Sequence, residues 1–129
     1  MRWRRTSATE DRWRKERRAR NRQGRRSEWI AALSLLLRGY RILGTREKTP
    51  LGEIDLIAIR GRRVAFVEVK RRATLEAAES AITDTQRARI RRAADLWLAR
   101  NERYRSYDLG FDIVFVIGRR WPRYVEDGL

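Results

Sequence analysis

Residues 52–71 read GEIDLIAIRGRRVAFVEVKR, two aliphatic and β-branched runs, Ile54–Ile59 and Val64–Val69, either side of Arg60-Gly61-Arg62-Arg63. With Gly61-Arg62 as a two-residue loop, glycine takes the first central position, as a type II′ turn requires. Arg60 then pairs with Arg63, and the register continues through Ile59/Val64, Ile57/Phe66 and Asp55/Glu68 to Glu53/Lys70. Period-two alternation puts these eight residues on one face. Ile54, Leu56 and Ala58 with Ala65, Val67 and Val69 make the other, apolar throughout. A three-residue loop would shift the register by one and separate Asp55 from Glu68.

Carboxylates directly opposite in a hairpin have Cβ atoms about 4.5–5.5 Å apart, and like charges there destabilise the sheet. A divalent cation between Asp55 and Glu68 removes that penalty, with water and phosphate oxygens completing its shell. Lys70, two residues beyond Glu68 on the same face, adds a movable point charge. The alternative is a solvated hairpin face with ordinary Glu/Lys pairs; Ile57, Val64 and Phe66 on the same face argue that it is at least half buried.

Composition narrows the chemistry. The 129 residues contain no Cys and no His, which removes disulfide scaffolds, Cys/His zinc sites and His-dependent triads. Carboxylates, Lys, Arg, Tyr, Ser/Thr or an oxygen-ligated metal must do any catalysis. The longest apolar run, at Trp29–Leu37, is too short to span a bilayer, so no membrane association and a cytoplasmic location are expected. The formal net charge is +15, and residues 1–26 concentrate it, with 12 Lys and Arg against 3 acids. Such an excess points to a polyanion, most simply nucleic acid.

Residues 1–26 are expected to form a basic arm, disordered or loosely helical, in which Trp3 and Trp13 could stack on bases. Its Arg-rich start also has the look of a transit peptide, but Glu10, Asp11 and Glu16 argue against that. Residues 27–129 are expected to form one α/β domain. Ser27 is read as the N-cap of a helix that stops at Gly39, with Glu28 in its first turn. Tyr40–Arg46 is read as a strand, and Arg71 and Arg72 open a polar segment after the hairpin. Thr83 to Gln86 is a capping box leading a helix whose apolar stripe is Ile90, Ala93, Ala94, Trp97 and Leu98. Arg87, Arg89, Arg91 and Arg92 crowd its first half, as a solvated face or as phosphate contacts. Gly110–Ile117 is a buried-type strand, and Tyr124-Val125 a short edge strand. The order α-β-β-β-α-β-β gives a mixed central sheet flanked by helices.

A helix-borne Glu28, then GEIDLI with Asp55, then FVEVK with Glu68 and Lys70, then a basic helix, resembles the PD-(D/E)xK restriction-endonuclease-like nucleases. The segments GYRIL, GEIDLIAIRG, VAFVEVKRR, RIRRAADLWL and FDIVFV more closely resemble the YraN family, small bacterial proteins related in fold to Holliday-junction resolvases. The resemblance covers about residues 24–126. It implies a restriction-endonuclease-like core in which Asp55, Glu68 and the Val69 carbonyl hold Mg²⁺ or Mn²⁺. Lys70 would orient or deprotonate the attacking water, and Glu28 would reach the metal or hold a basic group in place. It implies DNA as substrate, branched or recombination intermediates included, and a two-fold homodimer by analogy with junction-cutting relatives. Where the family pattern has Thr-Pro-x-Lys-Gln, this chain has Thr83-Asp84-Thr85-Gln86-Arg87. Gln86 either closes the capping box or donates a hydrogen bond toward the active centre. A nucleic-acid-binding module without turnover, and a ribosome- or RNA-associated protein with structural carboxylates, remain as other readings.

Overall fold

The hairpin expected at Gly61-Arg62 is present in a computed structural model of the chain, which describes the backbone of residues 7–129 and the side chains of residues 10–16 and 25–129. Strands β2 (Gly52–Arg60) and β3 (Arg63–Arg72) pair antiparallel from Arg60/Arg63 through Ile59/Val64 and Ile57/Phe66 to Leu56/Val67. Gly61 has φ +59 while Arg62 stays out of the positive region, as a type II′ loop demands. The ladder with β3 ends at Leu56/Val67. Beyond it β2 stays paired to β1 (Arg41–Thr49) as far as Gly52, and β3 stays paired to β4 (Asp108–Ile117) as far as Arg72. The two central strands therefore fork, with Asp55 on one prong and Glu68 on the other.

The sheet has order β1-β2-β3-β4-β5, with β5 (Arg123–Val125) on the edge beside β4. Only β3 and β4 run parallel, and their connection carries α2 (Leu75–Ser80) and α3 (Asp84–Arg100). This mixed sheet flanked by helices is the arrangement of a restriction-endonuclease-like core. On one face Ile57, Ile59, Val64 and Phe66 pack against Ala93, Ala94, Trp97 and Leu98 of α3. On the other, Leu56, Ala58, Ala65 and Val67 meet Ala31 and Leu35 of α1 (Ser7–Leu37). Ile54 departs from the alternation. It packs with the α3-side residues, at a point where β2 has already parted from β3.

Ser27 is not an N-cap. Helix α1 runs unbroken from Ser7 to Leu37, and Ser27 is buried within it. The arginines, lysine, glutamates and alanines of the basic segment are good helix formers, so the packed half propagates outward through them. Arg12 and Glu16 add an i,i+4 pair at 3.2 Å. Trp13 is exposed, and Trp3 lies outside the described residues. The predicted stop holds: Gly39 has φ +87, Tyr40 N–H reaches Leu35 O and Gly39 N–H reaches Leu36 O, a Schellman motif. Helix α2 lies where a polar segment was expected. Thr74 caps it by accepting from Ala77 N, and Ala78 anchors it beside Ile113 and Phe115.

The hairpin end of the sheet carries a buried polar staple. Asp112 is fully buried, with its oxygens 2.7 and 2.8 Å from the two terminal nitrogens of Arg63. It also accepts from the Tyr124 hydroxyl and from Asp127 N, while Arg63 donates to Tyr40 at 2.7 Å. Burial alone would raise the Asp112 pKa, but the hydrogen bonds from Arg63 and Tyr124 outweigh it and hold the carboxyl below its usual range. A Cβ on Gly110 would lie 2.0 Å from an Arg63 nitrogen, so glycine there is what lets the guanidinium cross β4.

Candidate functional site

At the fork, Asp55 Oδ2 accepts from Val69 N at 2.8 Å, so the carboxylate takes a β3 donor that lies beyond the end of the β2–β3 ladder. Glu68 follows on the same prong. Lys70 is 8% exposed and places Nζ 3.2 Å from Glu68 Oε1. Burial pushes the Asp55 pKa up to about 7; the charge of Glu68 and a hydrogen bond with it add to the rise, and the Val69 N–H opposes it. A smaller contribution comes from the charge of Glu28. A buried carboxyl raised by the charge of a neighbouring carboxylate is a place where a proton or a cation relieves repulsion.

Helix α3 supplies the opposite wall. Thr83 Oγ1 accepts from Gln86 N at 3.2 Å, so the predicted cap is formed. Its reciprocal half is not made: Gln86 Oε1 is buried and has no hydrogen-bond partner among the described residues. Gln86 instead lines a small hollow of about 50 Å³ with Glu53, Glu68, Arg89 and Ile90. An unsatisfied amide oxygen beside a carboxylate pair is itself a hard-cation ligand type. These oxygen donors suit Mg²⁺ or Mn²⁺, and they are the residues that would hold it.

Glu28 is placed differently from a direct ligand. Arg46 Nε lies 2.8 and 2.7 Å from its two oxygens, which raises the Arg46 pKa. Arg46 is a non-glycine residue at φ +48, a strained conformation costing about 1–3 kcal/mol. Glu28 thus holds a basic group beside the fork, one of the roles expected for it. Among the described residues no three acidic side chains converge as a cation shell.

The predicted arginines separate. Arg89 lies at the site, close enough that a Cβ on Gly52 would meet its side chain at 2.8 Å. Arg87 pairs with Asp84 at 3.5 Å, Arg91 stacks on Phe111 and donates to Leu129 O, and Arg92 donates to Ala88 O within the helix. Arg72 is exposed and donates to Arg71 O, while Arg71 faces away from the carboxylates, into a cleft on the α1 side.

The model of the uncharacterised protein family UPF0102 matches residues 27–116. A UPF0102 protein of Chelativorans sp. (strain BNC1) is 57% identical over 106 residues, 82% of this chain and 86% of that one. Another, from Methylorubrum extorquens (strain PA1), is 52% identical over 111 residues, covering 86% and 87% of the two chains. The chain belongs to UPF0102, the YraN family. The matched span contains Glu28, Asp55, Glu68, Lys70 and Gln86, and so all the residues that the family resemblance singles out.

Sequence reasoning did not name Arg46 or Glu53 at the candidate site: Glu53 was expected opposite Lys70 but pairs with Lys48 of β1, and no pattern marks a left-handed Arg46 in the middle of a strand.

Proposed function

We propose that the chain is a metal-dependent nuclease of the cytoplasm that hydrolyses phosphodiester bonds, in DNA first of all, with Mg²⁺ or Mn²⁺ held by Asp55 and Glu68. The observation that carries this is the fork: Asp55 and Glu68 lie on parting strands, buried Lys70 contacts Glu68, and Gln86 lines a small hollow beside Glu68. When bound, the ion would polarise the scissile phosphate and make the attacking water more acidic. Asp55, which burial and the charge of Glu68 push up to about 7, would hold the ion in its ionised form. Lys70, fixed by Glu68, orients the water and offers positive charge as negative charge builds on the phosphate. Arg89 approaches the same opening and is suited to a flanking phosphate. Glu28 holds Arg46 by its Nε, which fixes a positive charge beside the fork.

A two-fold dimer, implied by the family resemblance, would present two such openings, and sedimentation analysis tests it. The engagement of Glu28 by Arg46 favours a second reading, a nucleic-acid-binding module without turnover. The test is incubation of the purified chain with duplex, single-stranded and branched DNA in Mn²⁺. Cleavage that vanishes in Asp55→Asn and in EDTA supports the nuclease. Intact substrates throughout, with salt-sensitive binding that Asp55→Asn leaves unchanged, support the second reading.

A further inference from the structure

On the face of the sheet opposite the carboxylates lies a larger concavity, of about 770 Å³, between α1 and the turn that joins β4 to β5. Four arginines line it, from three separate parts of the chain: Arg26 on α1, Arg71 at the end of β3, and Arg119 and Arg120 on the turn. Val116 and Ile30 form its floor. None of the four makes an ion pair among the described residues, and no acidic side chain lines the cleft. Solvated charge runs have neighbours in sequence; here the fold gathers distant guanidinium groups around one hollow, a repulsive arrangement unless an anion is present.

The turn is built to hold its arginines in place. Gly118 has φ +54, a conformation that side-chain-bearing residues rarely adopt, and Arg120 N–H closes the turn on Ile117 O at 3.1 Å. A second hollow of about 210 Å³, lined by Thr74, Leu75, Arg119 and Arg120, extends the groove past the start of α2. Trp121 follows Arg119 and Arg120 directly in the chain with 65% of its surface exposed, and an exposed indole next in sequence to these arginines offers a base a stacking surface. Lys70 and Arg71 are consecutive on β3 and point to opposite faces, so the cleft and the fork sit on either side of the same sheet end.

We infer that this cleft is a second nucleic-acid site, which takes a single-stranded segment with its phosphates on Arg26, Arg71, Arg119 and Arg120 and a base on Trp121. The inference deepens the nucleic-acid reading above and rests on it. A cleft of this volume admits one or two nucleotides and excludes a duplex, and an exposed indole engages only an unstacked base. Arg fork geometry matches phosphate oxygens, and four such groups match a run of phosphodiesters better than one isolated anion. Substrates with a single-stranded portion next to the bond presented at the fork would then be preferred over blunt duplex.

The experiment is fluorescence anisotropy of a labelled 12-nucleotide oligothymidylate with the full chain in EDTA, which keeps the carboxylate site empty of metal. Arg119→Ser/Arg120→Ser is expected to weaken binding about ten-fold or more and to lower the salt slope by about 1.4, two phosphates at roughly 0.7 each. Trp121→Ala is expected to weaken it about five-fold or more and to reduce oligonucleotide quenching of tryptophan emission. Arg100→Ser/Arg105→Ser, removing the same charge from a remote surface, is expected to bind within about two-fold of wild type. All replaced cleft residues are exposed, so unchanged melting temperatures certify the fold. Wild-type binding that the cleft variants leave intact, or that the remote pair weakens equally, overturns the cleft while leaving the nucleic-acid reading standing. Inorganic polyphosphate competing as well as oligothymidylate, with no effect of Trp121→Ala, overturns single-strand recognition in favour of a simple anion cleft. No wild-type binding to any nucleic acid at low salt removes both readings.

Discussion

Replacing Asp55 by Asn removes the one carboxyl at the fork whose pKa is pushed up to about 7. Between pH 4 and 7 the unfolded chain has lost this proton while the folded chain keeps it, so rising pH favours unfolding. The stabilisation is fully present below about pH 4 and disappears as pH rises through about 7. The gap from 3.8 to about 7 is roughly three pH units at ~1.4 kcal/mol each, a ceiling of ~4 kcal/mol. Asp55 keeps partial solvent access, and screening brings the working figure to ~2 kcal/mol. Urea denaturation of wild type and Asp55→Asn from pH 4 to pH 8 measures it. Their stability difference should change by about 2 kcal/mol in favour of the variant as pH rises, or on the order of 8 °C in melting temperature. Asp112 and the other carboxyls are common to both chains and cancel in the difference. A difference curve flat to within about 0.5 kcal/mol, or a variant that is the less stable at pH 8, would refute the burial and repulsion assigned to this pair.

Other expectations follow from packing and hydrogen bonding. Asp112→Ala should cost about 3–5 kcal/mol, read by urea denaturation, by removing the buried acceptor that Arg63, the Tyr124 hydroxyl and Asp127 N–H share, and Arg63→Met/Asp112→Leu should recover part of it. Phe66→Ala, at a fully buried ring 5.7 Å from Trp97 and 5.6 Å from Phe111, should cost about 3–5 kcal/mol by the same measurement. Thr83→Ala should cost about 1 kcal/mol with Mn²⁺ affinity unchanged, because the cap supports α3 without facing the fork. Gln86→Leu should stabilise the metal-free chain, since it removes an unsatisfied buried oxygen, and should weaken Mn²⁺ binding; calorimetry and thermal melting read the two effects separately.

The hairpin was legible because Gly61 selects a two-residue loop, which fixes the register from Arg60/Arg63 to Leu56/Val67; the expected Asp55/Glu68 and Glu53/Lys70 pairs do not form, because the strands part before them. The stripe of α3, the stop of α1 at Gly39 and the start of α3 at Thr83 were readable from spacing and capping chemistry alone. What the sequence hid is tertiary in origin. Residues 7–26 look like an unstructured basic arm because they lack a core face, yet they continue a helix nucleated by packing at Ala31 and Leu35. Arg63 and Asp112 are 49 residues apart, and nothing local marks Asp112, inside an aliphatic strand, as the buried partner of a hairpin arginine. Arg46 is hidden for a different reason. Its left-handed backbone is maintained by contacts such as that with Glu28, not by its own preference. At the site, spacing brought Asp55, Glu68 and Lys70 together but could not say that Glu28 binds an arginine, or that Arg89 alone of its helix neighbours turns toward the fork.

The most direct test of the fork as a metal centre is calorimetric titration of Mn²⁺ into the wild-type chain, Asp55→Asn and Glu68→Gln, with and without an uncleavable phosphorothioate oligonucleotide. Binding to wild type near one equivalent, lost in both variants and tightened by the oligonucleotide, is the expected result. No heat from wild type even with oligonucleotide present, or binding that both variants retain, would contradict the assignment and leave Asp55 and Glu68 as a proton-sharing pair without a metal.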